Sequence, residues 1–155
     1  MEDTTSGCDG RMFIELFTPD VPAMARLFTE VFGFHEVRNE PGFVTVSSKS
    51  AVVLLNDGRG LPAGHRFEGR VTGREHGNCV EIGIAVENID ETHARAAAFG
   101  SGEVSGVVLQ EWGVRDFRIV TAEGFYLRVT EPTGAIRQIA RGSEAIGRGE
   151  ADGNK

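Results

Sequence analysis

Two glutamates and an arginine, Glu15, Glu81 and Arg128, are the side chains of this sequence with the clearest potential for chemistry. Each lies in a short segment that alternates between large aliphatic residues and other types, a pattern typical of a β-strand. A carboxylate in a cleft can exchange a proton or bind a cation, so Glu15 and Glu81 are the candidate catalytic residues. The alternative is that Arg128 pairs with Glu81 and only closes the structure, because a charge in a cleft needs a partner.

The predicted strands present two different sets of side chains, because residues along a strand point alternately to opposite faces. The first set is aliphatic throughout and is expected to pack against helices: Ile14, Leu16, Val53, Leu55, Ile82, Ile84, Leu127 and Val129. The second set combines rings, small residues and charges, which is the composition of a ligand pocket. Its members are Phe13, Glu15, Phe17, Val52, Leu54, Glu81, Gly83, Ala85, Tyr126, Arg128 and Thr130.

Trp112 is the only tryptophan and precedes Gly113 at a predicted turn between strands. Its ring is expected either to plug the edge of a sheet or to form a wall on which a flat ligand stacks. With Trp112 included, the residues predicted to bind a ligand are Phe13, Glu15, Phe17, Leu54, Glu81, Trp112, Tyr126 and Arg128.

The other reactive residues indicate no catalytic or metal motif. The histidines are not at the close spacing of metal ligands; they are His35, His65, His76 and His93. Cys79 has no evident base beside it in the sequence. No nucleophile elbow, phosphate loop or dinucleotide fingerprint follows a predicted strand.

Composition and charge favour a globular protein that binds neither nucleic acid nor membranes. The hydrophobic fraction is 40% and the charged fraction 25%, which is ordinary for a folded domain. The net charge is 16 − 23 = −7 and no basic stripe is present, which argues against nucleic acid and anionic lipid. No apolar run is long enough to span a bilayer, and the acidic start of the chain is unlike a secretory signal. With two distant cysteines, Cys8 and Cys79, we expect a cytoplasmic protein.

The elements that position these residues form two similar halves, each a strand, a helix and three strands. A shift of 81 − 13 = 68 residues aligns Phe13 with Glu81 and Val21 with Ile89, which indicates an internal duplication. The predicted divisions are a flexible tail at 1–10, a first module at 11–57, a connector at 58–78, a second module at 79–132 and a partly disordered tail at 133–155. A Gly-rich connector of this length is expected to be either mobile or functional.

The predicted helices are 21–32 and 89–99, with a short further helix at 135–141. The predicted strands are 12–18, 34–38, 43–47, 51–55, 80–86, 104–110, 115–120 and 125–130. Asp20 and Pro22 suit the start of the first helix, and Gly33 suits its end.

This duplicated unit resembles the vicinal oxygen chelate superfamily, which includes glyoxalase I, extradiol dioxygenases, and fosfomycin and bleomycin resistance proteins. The resemblance rests on segments 13–20, 31–34 and 84–90, while 111–117 and 124–132 look most like the bleomycin resistance branch. It implies an α+β fold in which tandem βαβββ modules form a cupped mixed β-sheet with helices outside. It also implies a homodimer.

The resemblance further implies that a metal would be held by the first and last strand of each half. Transferred by register, those positions are Phe13, Leu54, Glu81 and Arg128, of which only Glu81 can bind a metal. A slip of two residues would replace Phe13 with Glu15, and two carboxylates beside an arginine would still make a poor site. We therefore predict no metal and no other cofactor, with a divalent metal as the alternative.

These observations predict metal-independent binding and sequestration of an aromatic small molecule, as in antibiotic or natural-product resistance. The acidic balance favours a cationic ligand. The alternative is a glyoxalase-like lyase, isomerase or hydrolase on the same scaffold, acting through carboxylate acid–base or divalent-metal catalysis. A third possibility is a regulatory module whose cup is filled by its own side chains.

Overall fold

The computed structural model describes residues 12–134, 136 and 137. The predicted tail at 1–10, Cys8, and the part of the predicted C-terminal tail beyond Arg137 lie outside the described residues. No helix among the described residues is long and apolar enough to cross a bilayer.

The first half contains one helical element and a four-stranded mixed sheet. Its elements are β1 (Ile14–Phe17), α1 (Val21–Arg26), a π-helical continuation of α1 (Leu27–Val31), β2 (His35–Glu40), β3 (Phe43–Ser47) and β4 (Val52–Asn56). The strand order is β1-β4-β3-β2, with β1 parallel to β4. Asp20 caps α1, since its Oδ1 accepts a hydrogen bond from the Ala23 N–H at 3.0 Å.

The second half repeats this plan. Its elements are β5 (Glu81–Ala85), α2 (Ile89–Phe99), β6 (Gly102–Val104), β7 (Val108–Leu109), β8 (Arg115–Thr121) and β9 (Tyr126–Thr130). The strand order is β5-β9-β8-β6, with β5 parallel to β9 and with β7 also paired to β8. The predicted α+β fold of tandem modules, each with a helix packed on one face of a mixed sheet, is confirmed.

The prediction of one continuous strand at 104–110 is wrong, because the chain leaves the ladder between β6 and β7. Val104 pairs with Ile119 and Val108 pairs with Asp116. Between these two pairs the chain advances by four residues along the edge segment but by only three along β8, so one extra residue lies in the edge segment. At the break, the Ser105 hydroxyl accepts a hydrogen bond from the Arg118 N–H at 2.8 Å, in place of a backbone carbonyl. This bulge splits the edge strand in two.

Described residues of both halves form one shared hydrophobic core. Six of the eight predicted aliphatic residues are buried, with Leu55, Leu127 and Val129 at 0% exposure, and they pack with Phe28 and Phe117. Ile14 and Ile82 are only partly buried against this core. The helices of the two halves also contact each other, since the Arg95 Nε–H donates to the Val31 carbonyl at 3.1 Å. We call the opposite face of each sheet, turned away from the helices, its outer face.

The connector after β4 crosses to the second module as a series of turns, and its described residues form no strand or helix. Its last part is bonded to the turn between β8 and β9: the His76 N–H donates to the Glu123 carbonyl and the Gly77 N–H to the Gly124 carbonyl, both at 3.2 Å. The backbones approach so closely that a Cβ on Gly77 would collide with the carbonyl oxygen of Gly124. Position 77 therefore requires glycine, because any side chain there would collide with the neighbouring backbone.

Replacing Gly77 with alanine is expected to lower the free energy of unfolding by about 2 kcal/mol, because the atoms that the new methyl group meets are backbone and cannot move aside. The matched control is Gly106→Ala, whose Cβ would meet nothing within 4 Å. Its effect is expected to stay within about 0.5 kcal/mol. Urea unfolding of both variants measures the difference, and equal losses would show that the connector does not depend on this close approach.

Candidate functional site

Four charged residues meet on the outer face of the second sheet: Glu81, Asp116, Arg118 and Arg128, which we call the charged cluster. Asp116 on β8 is its centre, with only 2% of its side chain exposed. One carboxylate oxygen lies 3.0 Å from Nη1 of Arg118, and the other accepts a hydrogen bond from Nε of Arg128 at 3.2 Å. Gln110 adds a third bond, donated from Nε2 at 2.6 Å. A buried carboxylate requires this degree of compensation.

Glu81 on β5 belongs to the charged cluster by looser contacts. Its oxygens lie 3.3 Å from Nε of Arg118 and 3.8 Å from Nη1 of Arg128, and 39% of its side chain is exposed. Within the part of the chain that the structure describes, the buried Nε of Arg118 has no hydrogen-bond partner, so its contact with Glu81 is electrostatic. Burial acts to lower the pKa of Arg118, yet Asp116 and then Glu81 outweigh it and raise that pKa above its usual value.

Two aromatic rings lie beside the arginines of the cluster. The Arg128 guanidinium is 5.4 Å from the ring centroid of Trp112, and the Arg118 guanidinium is 5.9 Å from that of Tyr126. Both rings are open to solvent, with Trp112 at 59% exposure. The cations hold these rings in place while leaving ring surface available for stacking.

An open groove of about 760 Å³ runs along β5, and we call it the charged groove. Glu81 and Arg128 lie in its wall together with the outer-face residues Gly83, Ala85 and Thr130. Its other side consists of Phe32, Phe34 and the turn at 48–51 between β3 and β4. The groove thus joins residues from both halves of the chain.

Glu15 and Phe17 lie in a different place, a mainly apolar cavity of about 320 Å³ between β1, the start of β5 and the connector. Asn56 Nδ2 donates a hydrogen bond to Glu15 Oε1 at 2.9 Å. The Phe17 ring packs against Phe67 of the connector, with centroids 5.1 Å apart. We call this space the apolar cavity.

The structure therefore distributes the predicted ligand-binding residues over two sites. Glu81 and Arg128 lie in the charged groove, with Trp112 and Tyr126 beside the same cluster, whereas Glu15 and Phe17 line the apolar cavity. Among the described residues, the walls of these two spaces include neither Phe13, which is 61% exposed, nor Leu54, which lies opposite Glu15 in the first sheet.

Sequence reasoning missed Asp116 and Arg118. The signal was present in the alternation along β8, where Phe117 and Ile119 are buried, so that Asp116 and Arg118 share the outer face with Arg128. The alternation that places Glu81 and Arg128 on the outer face of β5 and β9 also places Asp116 and Arg118 on the outer face of β8.

The residues at the positions implied for a metal do not fit one. Phe13 and Leu54 carry no donor atom, Arg128 is a cation, and Glu81 is already shared between two guanidiniums. In residues 12–134, 136 and 137, no three His, Cys, Asp or Glu side chains come together in a way that could hold a metal ion. A divalent site requires about three or four such donors around one point.

Asp116→Asn is expected to lower the free energy of unfolding by about 2 kcal/mol or more, because it leaves two partly buried guanidiniums facing Glu81 alone. The control is Glu40→Gln, which breaks the exposed Arg38–Glu40 pair and should cost less than about 1 kcal/mol. Chemical denaturation measures both values. An Asp116→Asn protein as stable as the control would mean that the cluster is not held by its buried carboxylate.

Three solved structures illustrate what the chain is similar to. TioX from Micromonospora sp. ML1 has 21% sequence identity and a TM-score of 0.56, with 80% of this chain and 97% of that chain covered. A bleomycin-binding protein complexed with bleomycin has 14% identity and a TM-score of 0.57, covering 80% and 99%. A lactoylglutathione lyase from Agrobacterium tumefaciens has 18% identity and a TM-score of 0.57, covering 79% and 93%. At these identities the likeness is one of fold.

No curated protein sequence matches the chain at a significant level. The sequence model of a whole superfamily does match, and it covers residues 12–136, which include both modules and the connector. The resemblance inferred from the strand and turn segments is thereby confirmed: the chain belongs to the glyoxalase/bleomycin resistance protein/dioxygenase superfamily.

Proposed function

We propose that the protein binds and sequesters an aromatic small molecule with a cationic group, without a metal and without changing the ligand chemically. The observation that carries the proposal is Glu81, a partly exposed carboxylate in the wall of an open groove. The groove measures about 760 Å³, and sites for small molecules commonly measure about 300–1,000 Å³.

The arrangement of charges in the cluster supports a role for Glu81 in binding a ligand. Asp116 contacts the two arginines at 3.0 and 3.2 Å, whereas Glu81 reaches the same side chains only at 3.3 and 3.8 Å. Because Asp116 stays with both guanidiniums, Glu81 can accept a hydrogen bond from an ammonium or amide group while the arginines keep a buried partner.

The exposed rings beside the cluster support an aromatic ligand. Trp112 and Tyr126 each lie near a guanidinium, which restricts their motion and lowers the entropy lost when a flat molecule stacks on them. The net charge of −7 adds a weak long-range attraction for cations that salt reduces. The fold shared with a bleomycin-binding protein is consistent with a ligand of this kind.

Glu81→Gln is expected to weaken the binding of bleomycin, used here as the probe, by about tenfold, because the lost interaction is a charge-assisted hydrogen bond. The control is Glu103→Gln, which removes the same charge from an exposed position on β6 outside the groove and should change affinity less than about twofold. Calorimetry gives the affinities, and the fluorescence of Trp112, the only tryptophan, shows whether the ligand reaches its ring.

Two results would overturn this proposal. One is an absence of binding by both bleomycin and a smaller aromatic cation such as 9-aminoacridine. The other is recovery of a chemically altered ligand, shown by mass spectrometry, which would establish an enzyme. Formation of S-lactoylglutathione from methylglyoxal and glutathione in the presence of a divalent metal would identify a glyoxalase-like enzyme in particular.

As part of the same proposal, the protein acts in the cytoplasm as a homodimer. The dimer is supported by Val108 and Leu109 on β7, whose apolar side chains are exposed at the edge of the second sheet. An uncovered apolar edge strand tends to pair with another chain. Analytical ultracentrifugation is expected to give twice the chain mass of 16.7 kDa. Leu109→Glu should give a monomer, while Val37→Glu, at another exposed apolar position on β2, should not. A wild-type monomer would contradict the expectation.

A further inference from the structure

The apolar cavity is separate from the charged groove, and among the described residues the two share no lining residue. It is lined by residues of the edge strands of both sheets, among them Ile14 on β1 and Ile82 on β5. The connector covers this gap and contributes one wall, which includes Phe67, Val71 and His76. The wall is fixed to the second module by the hydrogen bonds of His76 and Gly77 to the turn between β8 and β9.

The lining of this cavity suits a small ring system. Phe17 and Phe67 pack together on one side, and on another side the His76 ring stacks on Phe125 with centroids 5.3 Å apart and planes 24° from parallel. The volume of about 320 Å³ lies at the small end of the usual range for ligand sites, which is about 300–1,000 Å³. Rings packed around an apolar space favour an aromatic ligand body.

Arg70 is the cation in the wall of the apolar cavity. No carboxylate lies within ion-pair distance of its guanidinium among the residues that the structure describes. His76 fixes the backbone at this point, because its Nε2 lies 3.3 Å from the Arg70 carbonyl oxygen. Arg70 is itself exposed, and its guanidinium, with five donors, has no ion-pair partner among the described residues.

The charge around Arg70 is opposite in sign to that of the whole chain. Residues 57–78 carry four arginines and three carboxylates, 4 − 3 = +1, while the chain as a whole carries −7. The carboxylate in the cavity, Glu15, already accepts a hydrogen bond from Asn56, whereas the Arg70 guanidinium has no such partner within the described residues. Arg70 is therefore the group in this wall that can pair with a negative charge on a ligand.

We propose that the apolar cavity is a second binding site, and that it takes a small aromatic carboxylic acid. The ring lies among Phe17, Phe67 and Phe125, and the carboxylate accepts two hydrogen bonds from the Arg70 guanidinium, the fork geometry that arginine offers to carboxylates. Arg70 offsets one ligand carboxylate, whereas a second would face Glu15 with no further arginine or lysine in the described wall, so acids with one carboxylate are favoured.

The test compares two probes of nearly the same shape that differ in charge, indole-3-acetate and indole-3-acetamide, by calorimetry on the full chain. The wild-type protein is expected to bind the acetate about tenfold more tightly than the acetamide. Arg70→Gln should reduce acetate binding to the level of the acetamide and leave acetamide binding unchanged. Val80→Phe, at an exposed position in the cavity wall, should block both probes without disturbing the core.

The matched control is Arg66→Gln, which removes the same charge from the connector at a position outside the cavity wall and should leave acetate affinity within about twofold of wild type. Equal binding of both probes by the wild-type protein, no binding of either, or an equal loss in Arg66→Gln and Arg70→Gln would each overturn the proposal. Glu81→Gln should not affect either indole probe, so this test is independent of ligand binding in the charged groove.

Discussion

The burial of one aliphatic face on each sheet is the constraint on which the rest of this structure depends. Leu55, Leu127 and Val129 are fully excluded from solvent and pack with Phe28 and Phe117 in a core that spans both halves. Each fully buried aliphatic side chain contributes about 1.5–3 kcal/mol. Because strand side chains alternate, burying this set turns the other set outward. The polar and aromatic residues of the outer faces therefore form potential binding surfaces as a consequence of how the core is built.

Charge on the outer face of the second sheet is organised around one buried carboxylate. Asp116 holds Arg118 and Arg128 against the sheet, and those guanidiniums in turn lie near Tyr126 and Trp112. A buried ion cluster contributes less to stability than its distances suggest, since desolvation offsets much of the attraction. Its value here is geometric: it fixes two cations and two rings in place and leaves the looser Glu81 facing the charged groove.

The connector lies between the two modules and is not part of the internal repeat. It has no counterpart inside either module, and it contributes a wall to a cavity that the strands alone would leave open. Its contact with the turn between β8 and β9 requires glycine at Gly77, where a side chain would meet backbone. An internal duplication thus provides the scaffold, while a segment outside the repeat provides an additional surface with its own charge.

Alternation of residue types determined much of this protein from the sequence alone, because which face a strand residue occupies is a local property of period two. The aliphatic faces could be read in this way, while the cap at Asp20 followed from residue types at a helix start and the superfamily from the resemblance of the strand and turn segments. The tertiary structure decided which residues are neighbours across paired strands. The pairing register brings Arg128 opposite Arg118 and makes Asp116 their shared partner, and the bulge at Ser105 divides the predicted strand 104–110. The separation of Glu15 from Glu81 into two sites likewise depends on how the connector packs between the sheets, a non-local contact that no short segment of sequence encodes.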